Sequence, residues 1–360
     1  MKLVRVLLLI CLLAHKGVFG MAAVSAAEDV KLRSAGKSMK SVALMMVPHP
    51  TNKGQFDILT STLIGLPSSL SSSSSSSSSW LITAAHGIPG HEAIAAKNNG
   101  TVGVERINIK APVHFGERDV GQAPDAFIDY VLISKSIKML AGFHGRDVAL
   151  CHLSKPVKNI PVIPLLGPKE WAEVKAQPFM SASLCGRGIN RQAPQQRYDR
   201  HLFTGELFTK LATLKTYLGV GNMGSVFYDD LWYMATLRVN DDYLQNFNTI
   251  KVTDKWRSGP FSHKIDVSKE ARPLKGDSGS GVFVDYQGKS YLAGIYSGNI
   301  SAQLMATKSD GSQQSIDLVF NRIEPLIHSD SGATLTWVAD LLKGAGLGHL
   351  AESRFSAPDD

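Results

Sequence analysis

The chain has 360 residues, of which 44% are hydrophobic and 19% charged, a balance that excludes a disordered chain and allows a sizeable core. The formal charge is +7, but the Lys and Arg residues are scattered, with no basic block and no basic helix interleaved with aromatics. That pattern excludes nucleic acid as the expected partner, and the length fits two domains or one large one.

The N-terminal residues read MKLVRVLLLICLLAHKGVFGMAAVSAAED: Lys2 and Arg5 precede an apolar run from Val6 to Ala14, and small residues follow. This predicts a signal peptide over residues 1–26, with V-S-A at Val24–Ala26 as its cleavage site. The run is too short to span a bilayer, so the expectation is an exported protein, secreted or periplasmic, with no membrane span after signal removal. Cys11 would leave with the leader. Cys151 and Cys185 would remain, and the sequence leaves open whether they are bonded.

Short β-like runs follow: SVALMMV (41–47), DILTSTLIG (57–65), WLITAA (80–85), YVLIS (130–134), DVALCHL (147–153), GVFVDY (281–286), YLAGIY (291–296) and IDLVFNRI (316–323). Gly, Pro, Asn and Ser clusters separate them. Helical spacing is clearest in TLTWVADLLKG (334–344), with apolar residues at 335, 337, 338, 341 and 342. Many short strands with one terminal helix predict an all-β barrel or sandwich and argue against a parallel α/β sheet. The Pro-rich KPVKNIPVIPLLGP (155–168) places a domain boundary near residue 166, and 189–272 reads as long decorated loops. Nine consecutive serines, Ser71–Ser79, abut WLITAA. A tract of this composition is expected to be solvated and mobile, with the mobility over 68–78 stopping at Trp80.

Three segments carry chemistry together: LITAAHG with His86, GRDVALCHL with Asp147, and LKGDSGSGVF with Ser278. A serine hydroxyl is a weak nucleophile at neutral pH and needs a base to take its proton. Histidine titrates in the right range, and a carboxylate fixes its tautomer and stabilises the imidazolium. Gly276 and Ser278 flank Asp277 in a tight turn whose backbone amides would meet the oxyanion of an attacked carbonyl.

The order His, Asp, Ser and the words around each residue resemble the trypsin-like (chymotrypsin-fold) serine proteases. TAAHG is similar to that family's TAAHC, RDVALCHLSKPV to DIALLxLxxPV, and KGDSGSGVF to GDSGGPxx. STLIG (61–65), GIYSG (294–298), and VFNRI followed by TWVADLL resemble further family segments in the same order. The resemblance covers most of residues 41–344 apart from 190–265. It implies two antiparallel six-stranded β-barrels with a C-terminal helix: residues 27–166 with His86 and Asp147 (and the serine loop at 68–79), residues 167–345 with Ser278, and a tail at 346–360. It further implies a serine endopeptidase acting on protein or peptide through an acyl-enzyme. Ser297 would support the triad aspartate and help bind substrate beside Gly298. The alternative is a non-catalytic secreted binding or adhesion protein on the same scaffold.

The departures are informative. Gly87 and Leu274 stand where the family has cysteines, which matches a bacterial-type member. Ser280 replaces the second glycine of GDSGG. Gly298 replaces an aromatic and would open the pocket entrance. Counting six residues back from Ser278 gives Arg272 as the pocket floor, which would favour an acidic substrate side chain. No IVGG-like word supplies the N-terminal amine that pairs with the aspartate before the nucleophile, here Asp277, so its partner is either another terminus or an internal cation. Gly219–Gly224 matches GxGxxG, but only nine residues separate it from the next β-like run, too few for a dinucleotide-binding unit. Asn99-Gly-Thr and Asn299-Ile-Ser are glycosylation sequons, meaningful only in a eukaryotic secretory host. No Cys/His cluster has zinc spacing, so neither metal nor other cofactor is implied.

Overall fold

A computed structural model describes residues 22–23, 26–52, 54–66, 78–98, 103–116, 123–135, 138–140, 143–174, 180–188, 198–218, 231–236, 271–273, 276–307, 313–330 and 333–351. The first barrel consists of β1 (Val42–Pro48), β2 (Phe56–Leu63), β3 (Ser78–Thr83), β4 (Val104–His114), β5 (Ala126–Ser134) and β6 (Ala149–Val157). The second consists of β7 (Met180–Gly186), β8 (His201–Phe208), β9 (Trp232–Thr236), β10 (Gly281–Tyr286), β11 (Lys289–Thr307) and β12 (Gln313–Pro325). The strands close in the order β1-β2-β3-β6-β5-β4 in one barrel and β7-β8-β9-β12-β11-β10 in the other, with antiparallel pairing throughout. The same path is therefore traced twice. This is the chymotrypsin-like double barrel.

The continuous apolar runs follow from burial on both faces. In β1, Ala43, Met45 and Val47 fill the first barrel, while Val42 points into the layer between the barrels. In β3, Leu81 goes inside while Trp80 and Ile82 go to the shared layer; in β6, Ala149, Cys151 and Leu153 go inside while Leu150 goes outward. A strand covered on both faces loses the polar alternation of a half-exposed one.

The C-terminal helix α5 (Trp337–Gly344) closes over the same layer, burying Trp337, Val338, Leu341 and Leu342 with Tyr130 and Leu132 of β5. It begins later than its spacing predicts. Residues 333–336 pair with 327–330 as a short hairpin, and the Thr336 hydroxyl accepts the Ala339 N–H at 3.2 Å as the N-cap. The Pro-rich connector is stitched to both barrels, with Ile163 bonded to Leu63 and Gly65 on one side, and Pro164 and Leu166 to Leu292 on the other.

The loop reading of 189–272 needs correction. That stretch supplies β8 and β9, two walls of the second barrel, and helix α4 (Leu211–Leu218) between them. Three more helices lie outside the sequence reading: α1 (Ala26–Gly36), α2 (His91–Asn98) and α3 (Pro168–Val174). α1 docks on the second barrel where Asp29, 2% exposed, accepts from His201 Nε2 at 2.9 Å and pairs with Arg33 at 2.9 Å. Of the expected leader, Ala22–Ala23 pair with Ala271–Arg272, and residues 1–21 lie outside the described residues.

The serine tract over 67–77 also lies outside the described residues. The strands on either side pair as a hairpin, Thr62 against Ile82 and Leu63 against Leu81. The ordered strand starts two residues before Trp80. Ser78 is buried, gives its hydroxyl proton to the Ile64 carbonyl at 2.6 Å and accepts the Trp80 N–H at 3.2 Å. The last two serines of the run thus belong to β3.

Candidate active site

β3 ends in a single 3-10 turn, Ala85–Gly87, that delivers His86 to the cleft between the barrels. Gly87 allows close packing there, because a Cβ at this position would lie 2.3 Å from Leu59 Cδ2. Asp147 stands just before β6. Arg146 precedes it with φ 60°, an uncommon left-handed conformation for a non-glycine residue, and its guanidinium lies 5.0 Å over the Trp337 ring of α5. Ser278 sits in the turn before β10, where Gly276 (φ 94°) and Gly279 (φ 84°) adopt backbone conformations that L side chains rarely take.

The three residues meet. His86 Nε2 is 2.9 Å from Ser278 Oγ, and His86 Nδ1 is 2.6 Å from Asp147 Oδ2. The His86 backbone N–H donates to Asp147 Oδ1 at 2.7 Å, and the Ser297 hydroxyl donates to Oδ2 at 2.6 Å. Asp147 is fully buried and His86 partly exposed, so the imidazole faces the cleft and the carboxylate does not. Burial pushes the Asp147 carboxyl up, but the adjacent His86 and the hydrogen bonds from His86 and Ser297 outweigh it and hold the group below the usual carboxylate value. Burial pulls the His86 imidazole down, but the charge and hydrogen bond of Asp147 leave it above its ordinary value, against a smaller downward pull from Arg322. An acceptor-only carboxylate places the imidazole proton on Nδ1 and leaves Nε2 to take a proton from Ser278.

The turn around Ser278 is pinned across the barrel interface by Thr60, on β2. Its N–H donates to the Ser278 carbonyl at 3.0 Å, and its hydroxyl donates to the Gly276 carbonyl at 3.0 Å and accepts the Arg187 N–H at 2.9 Å. Within the turn, Ser280 donates both its N–H (2.9 Å) and its hydroxyl (2.5 Å) to the Asp277 carbonyl. The Ser280 hydroxyl thus adds a bond to the turn that a glycine could not make. Asp277 is buried and accepts the Gly188 N–H at 2.7 Å. A Cβ on Gly186 would lie 2.2 Å from its carboxylate, so two glycines at the end of β7 make room for it.

The remaining expected residues are placed unevenly. Ser297 lies at a β-bulge between Tyr296 and Gly298, the irregularity that turns its hydroxyl to Asp147. Gly298 has φ 151°, and among the described residues a Cβ there would meet only Arg322 Nη2, at 3.8 Å. Arg272 has its backbone paired with Ala22, and its side chain lies outside the described residues. Cys151 and Cys185 are separate buried thiols.

Sequence reasoning missed Thr60, Gly186, Gly188 and Arg322. The available signals were three consecutive hydroxyl residues, Thr60–Thr62, inside an apolar strand, and an arginine in the middle of the core strand LVFNRI. All of these are buried.

No family model matches the sequence, and no curated protein matches it. Among solved structures the chain is similar to HL collagenase, with 13% identity and a TM-score of 0.43 over 79% of this chain and 89% of that one. The fold assignment stands on the repeated barrel path described above.

Proposed function

We propose that this chain is a serine endopeptidase, exported to the cell exterior or periplasm, that hydrolyses peptide bonds through an acyl-enzyme. The observation that supports this reading is the continuous hydrogen-bonded line from Ser278 through His86 to a buried Asp147, set at the cleft between two barrels. Ser278 Oγ attacks the scissile carbonyl while His86 Nε2 takes its proton. The imidazolium formed is stabilised by Asp147, and its Nε2 proton goes to the leaving amine. The backbone N–H groups of Gly276 and Ser278 hold the oxyanion of the tetrahedral intermediate. Water then attacks the acyl-enzyme by the same proton path in reverse, releasing the acid and restoring Ser278.

The same machinery hydrolyses esters, so peptide is the part of the reading that needs its own test. Purified mature protein is incubated with a diverse peptide library, and new termini are read by mass spectrometry beside Ser278→Ala. Internal cleavages made by the wild type alone are expected. Intact peptides alongside Ser278-dependent hydrolysis of an activated ester would make the chain an esterase.

A further inference from the structure

We propose that Arg322 is a positioning residue for this chemistry, acting through Ser297 to set the direction of hydrogen bonding into Asp147. The inference rests on the serine-hydrolase reading of Ser278.

Arg322 lies on β12, is 2% exposed, and stands opposite Gly298 in the β11–β12 register, next to the bulge that turns Ser297. Its Nη2 donates to Ser297 Oγ at 2.8 Å and more weakly to the Ser297 carbonyl at 3.4 Å. A guanidinium has donors only, so the Ser297 oxygen must accept on that side. A hydroxyl has one proton to give, and with its acceptor side held by Arg322 that proton is directed to Asp147 Oδ2 at 2.6 Å.

The consequence runs the length of the site. Asp147 then receives Ser297 O–H and His86 Nδ1–H on Oδ2 and the His86 backbone N–H on Oδ1. With donors on both oxygens it is an acceptor throughout, and the neutral imidazole carries its proton on Nδ1. Without Arg322, the Ser297 hydroxyl is free to rotate its proton elsewhere, and Asp147 loses a donor that helps keep it ionised and fixed.

Charge acts in the same place. Around the guanidinium stand Asp147 before β6, Glu324 on its own strand, Tyr233 on β9 and Tyr296 on β11, and its field reaches His86. A buried cation here opposes proton binding by His86, so it keeps the base available to lower pH. The arginine thus contributes a directed hydrogen bond and a field, and different substitutions separate the two.

The test uses the full mature protein with Arg322→Met, Arg322→Gln, Arg322→Lys, Ser297→Ala and the Met/Ala double variant, each first checked for folding by circular dichroism. Two readouts are taken: the titration of His86 by NMR, and the pH dependence of acylation of Ser278 by a fluorophosphonate probe. Arg322→Met is expected to raise the His86 midpoint and to slow acylation about tenfold at its plateau. Arg322→Gln, which retains an N–H donor, recovers part of the plateau rate but not the midpoint. Arg322→Lys, which retains the charge, keeps the midpoint near that of the wild type. In the Ser297→Ala background, Arg322→Met lowers the plateau rate no further, because its route has already been cut.

An unchanged midpoint and rate in Arg322→Met, or rate losses that multiply in the double variant, would overturn the proposal. If neither the Met nor the Gln variant folds, Ser297→Ala decides. Slower acylation with a displaced His86 Nδ1 proton resonance supports the proposal, and wild-type values for both overturn it. A wild type that never acylates, but whose His86 midpoint still moves in Arg322→Met, sinks the hydrolase reading and leaves the Arg322 field intact. A wild type that acylates normally, with no response in any variant, sinks the Arg322 proposal alone.

Discussion

Thr60, on the first barrel, donates its backbone N–H to the carbonyl of Ser278, on the second, at 3.0 Å. The turn that carries Ser278 is therefore referenced to the barrel that carries His86 and Asp147. The Thr60 hydroxyl adds two more bonds in the same place, to the Gly276 carbonyl and from the Arg187 N–H.

Thr60→Val keeps the shape and removes both hydroxyl bonds, leaving a buried carbonyl and a buried N–H without this partner. Each such loss costs on the order of 1–3 kcal/mol. Chemical denaturation should show a destabilisation in that range or above. Acylation of Ser278 should slow more than the folded fraction falls, because the turn has lost its reference. A variant as stable and as reactive as the wild type would remove Thr60 from the account.

The pH response follows from the two shifts. His86 binds its proton more tightly in the folded chain than in the unfolded one. The stability this confers is fully present below the unfolded imidazole value and is lost as pH rises through the raised folded value. Asp147 is held below the usual carboxyl value, so its contribution is present above the unfolded value and is lost as pH falls through the folded one. The proposed activity needs neutral His86 and runs the other way. The acid limb of kcat/KM should have its midpoint above the ordinary imidazole value, and the stability advantage of the wild type over His86→Ala should shrink across the same interval. A midpoint below the ordinary value would contradict the Asp147–His86 geometry.

Gly279→Ala is expected to be severe. The residue has φ 84°, and a Cβ there would lie 2.1 Å from Thr83 Oγ1 and 2.3 Å from the Thr60 carbonyl. Backbone strain of about 1–3 kcal/mol is joined by a collision that has to move β2 or β3. Gly288→Ala, at φ 73° with no atom of the described residues within 4 Å of the new methyl, isolates the strain alone. Thermal melts should place Gly279→Ala well below Gly288→Ala, and equal melting temperatures would mean that the barrels do not touch there.

Cys151 and Cys185 are buried and free, and burial pushes both thiols up, Cys185 to about 12. Neither is expected to react with iodoacetamide in the native protein, and both should react on unfolding. Mass spectrometry before and after denaturation reads this directly. A disulfide between them, or fast native alkylation, would mean that the barrel cores are packed differently.

How far the sequence carries depends on the kind of signal. Strands such as GVFVDY, which form β10 over the same residues, are legible because turn residues bound them sharply. β8 is not, because HLFTGELF sits among polar stretches, and β9 shows only as the β-like run that begins at Met234, because its pairing with β12 is set by residues far away in the chain. The His86, Asp147 and Ser278 words are legible because the chemistry proposed for them demands particular residue types. Thr60 and Arg322 are not, because what they do depends on an interface and a bulge that no local pattern announces. The serine tract shows the same limit. Ser78 is one of nine identical letters, and nothing in the letters marks it as the residue that bonds to Ile64 and Trp80. Shortening the run ahead of Ser78 should change stability by less than about 1 kcal/mol, since closure entropy varies slowly with loop length.

The central claim is that Ser278 is an activated nucleophile. Purified wild type and Ser278→Ala, both shown to be folded, are treated with a fluorophosphonate probe near neutral pH and the adduct is located by mass spectrometry. The account predicts one adduct per chain, on Ser278, formed by the wild type and absent from the alanine variant. A folded wild type that stays unlabelled across the pH range, or carries its label on another residue, would contradict it.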